Sequence, residues 1–115
     1  MIDFDKIQET AIPHLNGGNG ITRANMFMDS SVKIMLSTLE KGASIGQHTH
    51  RTGSEIAYVL SGKARCILDG KEEVVLPGQC HYCPQGSTHS IENASDEPLV
   101  LLDIVPEYGE KTGRA

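Results

Sequence analysis

The sequence predicts an all-β domain folded as a small closed or rolled barrel. Three observations carry the prediction. The 115 residues include twelve glycines spread along the whole length. Short apolar runs alternate with turn signals such as Asp69-Gly70, Pro77-Gly78 and Pro84-Gln85-Gly86. No stretch keeps a 3.6-residue apolar period with helix caps, so nothing competes with the strand reading. Roughly eight to ten short strands joined by tight turns is the pattern of a small barrel, whose closure removes exposed sheet edges.

The elements follow in order. The opening segment has apolar positions at Ile2, Phe4, Ile7 and Ile12 and reads as a strand or irregular arm. With the loop Gly17-Gly18-Asn19-Gly20, taken as a flexible connection, it forms an N-terminal arm over 1–20. A single barrel domain over 21–105 and a polar tail over 106–115 complete the organisation. Ile21 to Met28 reads as a strand, Asp29-Ser30-Ser31 as a turn, and Val32 to Leu39 as a second strand. Val32, Ile34 and Leu36 share one face of that strand, and Met35 and Leu39 the other, so both faces need cover. A second copy of the chain is the expected cover for the outer one, which predicts a homodimer.

Glu40-Lys41-Gly42-Ala43 turns the chain into a segment around Ile45 to His50, and Ile56 to Leu60 is a β-rich run ended by Ser61-Gly62. Ala64 to Leu68 and Glu73 to Leu76 flank Asp69-Gly70, a hairpin signal because these residues tolerate the positive φ of a two-residue turn. After Pro77-Gly78, Cys80 to Cys83 makes a short strand, and His89 to Glu92 and Leu99 to Val105 complete the set.

Composition narrows the function. The net charge is −5 and the ten Lys and Arg residues are scattered, so no basic stripe offers itself to nucleic acid. No apolar run approaches the roughly 20 residues of a membrane span. The segment Met1-Ile2-Asp3-Phe4-Asp5 lacks the basic region and long apolar core of a secretory signal, so a cytoplasmic location is expected. Three cysteines are an odd number, which fits reduced thiols better than a disulfide framework.

The chemistry centres on His48-Thr49-His50. In a strand, residues i and i+2 point the same way, so both imidazoles project from one face. Glu55 follows across Arg51-Thr52-Gly53-Ser54 and can return a carboxylate to the same region, and His89 sits far along the chain beyond Pro84-Gln85-Gly86. Alone, the His pair reads as two exposed strand histidines. With Glu55 and His89 the set suits one divalent transition metal: Mn, Fe, Ni, Co, Cu or Zn. Four protein ligands on an ion preferring six leave two positions for water or substrate.

Other motifs read as structural. In a strand the two thiols of Cys80-His81-Tyr82-Cys83 point to opposite faces and do not converge, though Cys83 is a candidate for oxidation. Gly17-Gly18-Asn19-Gly20 lacks the Gly-Lys-Ser/Thr ending of a phosphate loop. His14 and His81 have no nameable partner. Gln47, Arg23, Arg65, Tyr58 and Tyr82 are candidate polar groups for a pocket, each more readily a surface or packing residue.

In two motifs the sequence resembles the cupin superfamily. The first runs Gly, five residues, His-x-His, three or four residues, Glu, six residues, Gly, and is met by Gly42, His48, His50, Glu55 and Gly62. The second runs Gly, five residues, Pro-x-Gly, two residues, His, three residues, Asn, and is met by Gly78, Pro84, Gly86, His89 and Asn93. Fifteen residues separate Gly62 from Gly78, and the motifs span about half the chain, as in small single-domain microbial cupins. One departure is Gln79, where many members carry an Asp that supports a turn.

The resemblance implies a small jelly-roll β-barrel (a double-stranded β-helix, RmlC-like) with His48, His50, Glu55 and His89 as metal ligands. It also implies a metal-dependent enzyme acting on a small oxygen-rich substrate: a carboxylate, an enediol or a sugar derivative. Isomerase, decarboxylase, lyase and dioxygenase chemistry all remain open, and no catalytic acid or base is assignable. The alternative is a non-catalytic module that binds a small molecule or metal.

Overall fold

Alternating burial sorts the chain into ten strands. They are β1 (Thr10–Pro13), β2 (Ile21–Met28), β3 (Val32–Leu39), β4 (Ser44–Thr49), β5 (Glu55–Ser61), β6 (Ala64–Leu68), β7 (Lys71–Val75), β8 (Cys80–Cys83), β9 (Thr88–Asn93) and β10 (Leu99–Pro106). The computed structural model describes residues 1–110. Residues 111–115, the end of the expected polar tail, lie outside the described residues.

The strands form two antiparallel sheets, one of six in the order β1-β2-β3-β10-β5-β8 and one of four in the order β4-β9-β6-β7. This is the predicted jelly-roll barrel. Leu39, Ile91, Leu99 and Leu101 are wholly buried between the sheets with Val59 and Cys66. Each such full burial of a Leu or Ile contributes about 1.5–3 kcal/mol.

The expected strand over Glu73 to Leu76 lies earlier, at Lys71–Val75, and the turn chemistry explains the shift. Leu68 pairs with Lys71 across Asp69-Gly70, whose φ values of 48° and 83° make the tight two-residue hairpin turn. Leu76 belongs instead to the next turn, where its N–H donates to Gln79 Oε1 at 2.9 Å. The Gln79 amide thus supports a turn in place of an Asp. Asn93, the last motif residue, is equally structural: buried, its Nδ2 donates to the carbonyls of Leu39 and Glu97.

The Gly-rich loop is no free connection. Gly18 packs so closely on β4 that a Cβ there would stand 2.1 Å from the Ser44 carbonyl oxygen. Beyond the loop's other end, β1 pairs with β2 from Thr10↔Ala24 to Pro13↔Ile21. It forms the edge of the six-stranded sheet, where a proline is tolerated.

Register divides the six-stranded sheet into an inner and an outer face. On the outer face Ile34–Ile104–Ile56 and Leu36–Leu102–Tyr58 form two apolar rows across β3, β10 and β5. These side chains are half-buried, and Tyr58 is exposed.

Candidate metal centre

His48 reaches the barrel interior through an irregularity in β4. Ile45 faces Ile91 and His48 faces His89, so three steps on β4 match two on β9. Strict alternation from the buried Ile45 would turn His48 outward, and one extra residue reverses the parity. Gly46 sits in this bulge because there is no room for more. A Cβ there would lie 2.1 Å from the carbonyl oxygen of Asn16.

The four residues singled out in the sequence come together. Nε2 of His48 lies 3.2 Å from Nε2 of His50 and 3.1 Å from Nε2 of His89, and the His50–His89 separation is 3.0 Å. Glu55 Oε1 stands 3.0 Å from His50, 3.2 Å from His89 and 3.7 Å from His48. Among the described residues no other cluster brings three or more such groups together.

Hydrogen bonds fix which nitrogen points inward. His48 Nδ1 donates to the Gly46 carbonyl at 2.8 Å, leaving the Nε2 lone pair facing the cluster. His89 is held from behind by a chain of side chains. Its Nδ1 lies 2.8 Å from His81 Nε2, the two rings stack at 13°, and His81 Nδ1 pairs with Glu73. With the Glu73 carboxylate as terminal acceptor, His81 donates to Glu73 and His89 donates to His81, so His89 Nε2 is also a free lone pair.

This donor set fits a cation. For metal–ligand bonds of about 2.0–2.2 Å, neighbouring donors stand roughly 2.8–3.1 Å apart in an octahedron and roughly 3.3–3.6 Å apart in a tetrahedron, a range into which all these separations but the 3.7 Å between His48 and Glu55 fall. Inward lone pairs of neutral imidazoles beside a carboxylate oxygen repel one another unless positive charge lies between them.

Without an ion the same nitrogens would share protons with Glu55 instead: burial works against its carboxylate, yet hydrogen bonding to His48, His50 and His89 outweighs it and holds its pKa well below the usual range. The Glu55 hydrogen bond raises the pKa of His48 against burial, and burial lowers that of His89.

Asp103 on β10 is wholly buried beside this group, and burial with the neighbouring Glu55 charge drives its pKa well above the ordinary value. A cavity of about 250 Å³ opens against the cluster, lined by His48, His50, Glu55 and Asp103 together with Met26 and Met35.

Sequence reasoning missed Asp103, and it left His81 without its partners. The signal for Asp103 was present: it shares strand parity with the buried Leu99 and Leu101, a position where a charge needs a reason. His81 and Glu73 carried no such mark, because their contacts depend on strands from opposite sheets.

Other expectations resolve plainly. Arg23 pairs with Glu40 and Arg65 with Glu72, and neither they nor Tyr58 and Tyr82 line the cavity, whereas Gln47 lines a second pocket with Asp69, Thr88 and His89. Cys80 is exposed and Cys83 buried, so the two thiols face opposite ways as expected. Cys83 is not prone to oxidation, since burial pushes its thiol up to about 11 and the reactive thiolate is scarce.

Comparison with known proteins agrees with this fold. The family model described as the cupin domain matches residues 35–105. The oxalate-binding protein of Thermotoga maritima is 33% identical over 111 residues, covering 91% of this chain and 92% of its own length. Oxalate decarboxylase of Bacillus subtilis is 35% identical over 85 residues, 70% of this chain but 22% of that longer protein. A crystal structure from Thermotoga maritima, described as a predicted oxalate decarboxylase, superposes with a TM-score of 0.87 at 24% identity, covering 93% of this chain and 98% of that one.

Proposed function

The chain belongs to the cupin domain family, and from that premise we propose that His48, His50, Glu55 and His89 hold one divalent transition-metal ion at which a small carboxylate substrate is bound and transformed. The observation that carries the reading is the convergence of three Nε2 atoms and one carboxylate oxygen to separations of 3.0–3.7 Å. When bound, such an ion supplies Lewis acidity toward substrate oxygens.

The chain's own residues do the rest. The Gly46 carbonyl and the Glu73–His81 pair hold the imidazoles of His48 and His89 in the ligating tautomer. Met26, Met35 and Val105 line the approach with apolar surface. Asp103 keeps a carboxyl group next to Glu55, in reach of a molecule occupying the cavity. The carboxylate class is supported by relatives named for oxalate, one of which matches this chain over nearly its full length.

Metal analysis by plasma mass spectrometry tests the reading, on protein purified without chelator beside a His48→Ala/His89→Ala double variant. About one transition-metal ion per chain, absent from the variant, is the expected result. No metal in either protein after reloading with Mn, Fe or Zn would refute it.

A second reading, a non-catalytic binding module, is favoured by one observation: the relative of matching length is named a binding protein. Recovery of oxalate unchanged from a metal-loaded sample, followed by carbon NMR, would favour binding, and Glu55-dependent turnover would exclude it. The apolar rows Ile34–Ile104–Ile56 and Leu36–Leu102–Tyr58 support a homodimer that covers them. A stable monomer in sedimentation at micromolar concentration would argue against it. Free cysteines, as at Cys66, Cys80 and Cys83, suit a reducing compartment, so we place the protein in the cytoplasm. Among the described residues no helix is long and apolar enough to cross a membrane.

A further inference from the structure

The cavity beside the cluster extends along the inner face of the six-stranded sheet, and part of its lining has no role in holding an ion. Lys33 enters it from β3, half-buried, and makes no ion pair among the described residues. Thr22 Oγ1 and Asp103 Oδ1 are the buried side-chain polar atoms without a hydrogen-bond partner among the described residues, and both residues line this cavity at 2% and 1% exposure. An unpaired buried polar atom costs about 1–3 kcal/mol, so two in one cavity, beside an unpaired ammonium, point to a polar occupant.

Strand register places Lys33 relative to the cluster. Val105 faces Lys33 across β10 and β3. Ile104 faces Ile56 across β10 and β5, which brings Val105 level with Glu55. Lys33, Val105 and Glu55 therefore share one row on the inner face, and Lys33 lies two strand spacings from Glu55, roughly 9.6 Å between backbones. The wall around that gap is apolar at Met26, Met35 and Val105, with the Asp103 carboxyl one inner-face position away on β10.

We infer that Lys33 is a second anchor for the ligand, and that the protein takes a small dicarboxylate whose two carboxylates are separated by a short methylene chain. One carboxylate goes to the His–Glu cluster, a clause that rests on the proposed metal reading. The other makes a charge-assisted hydrogen bond with the Lys33 ammonium. The methylenes lie against the two methionines and Val105, whose flexible or branched apolar side chains gain by covering them. Oxalate joins its carboxylates directly and is the short probe against which the spacing of the two anchors is tested.

Titration calorimetry on the whole protein tests this, as purified and after loading with Mn(II), with glutarate, butyrate and oxalate as probes. Wild type is compared with Lys33→Met and Lys33→Arg, with metal content measured on each. Glutarate is expected to bind wild type at least about tenfold tighter than butyrate, a margin that Lys33→Met erases and Lys33→Arg largely restores. Equal affinity for glutarate and butyrate, a margin that survives Lys33→Met, tighter binding of oxalate than glutarate, or no glutarate binding would each overturn the inference. Failure of wild type to take up any metal would sink the metal reading alone. The glutarate–butyrate margin on the metal-free protein would still decide the role of Lys33.

Discussion

His48 and His89 face the same point in the barrel, but their rings are oriented by different means. On β4 the Nδ1–H of His48 donates to the carbonyl of Gly46, two residues back on the same strand. On β9 the Nδ1 of His89 is held by His81 from β8, which is held in turn by Glu73 from β7. The first arrangement is local and uses a backbone acceptor that no side-chain replacement removes. The second is assembled from three strands and depends on a side chain from each. Imidazole orientation in this molecule is therefore robust on one side of the cluster and vulnerable on the other.

The largest effect separates the two histidines by stability. His48→Ala and His89→Ala are both expected to reduce bound metal to under about a tenth of wild type. Only His89→Ala should also lower the metal-free protein's stability, by about 1–3 kcal/mol, because it leaves a nitrogen of the buried His81 unpaired. Urea denaturation of the two metal-free variants measures this, and equal midpoints would contradict the contrast.

Next comes the relay itself. Replacing His81 with Leu should weaken metal affinity by about 10–100-fold with all four ligands intact, read by competition with a chromogenic chelator. A change under about twofold would show that His89 needs no support from behind.

On the local side the corresponding lever is steric. Gly46→Ala would put a Cβ 2.1 Å from the Asn16 carbonyl oxygen and should destabilise the fold by about 1–3 kcal/mol through overpacking. A thermal melt reads this directly, and an unshifted midpoint would mean that the loop over 14–18 gives way. The smallest effect belongs to Glu73→Gln, whose remaining carbonyl oxygen still accepts from His81. Metal affinity should fall by only about threefold, and a loss as large as that of His81→Leu would show that the Glu73 charge itself is required.

Much of the architecture was readable before any coordinates. β2, β3, β6 and β8 occupy the residues that alternation and turn chemistry assign to them, because the apolar rhythm and the Gly, Pro and Asp-Gly stops are local properties of the chain. His48, His50, Glu55 and His89 stood out because two motifs held them at set intervals from turn residues. β7 was misplaced by two residues because the turn pairs Leu68 directly with Lys71, and pairing register is not visible in composition.

What the sequence by itself determined is the strand list, the turns between strands and the residues that form the cluster. The tertiary structure alone decided that a bulge turns His48 inward and that Glu73 and His81 stand behind His89. It also decided that Asp103 and Lys33 share a cavity with the cluster. The reason is geometric. A strand side chain points to one face or the other by parity, but its neighbours come from other strands, and one inserted residue or a shifted register exchanges them all.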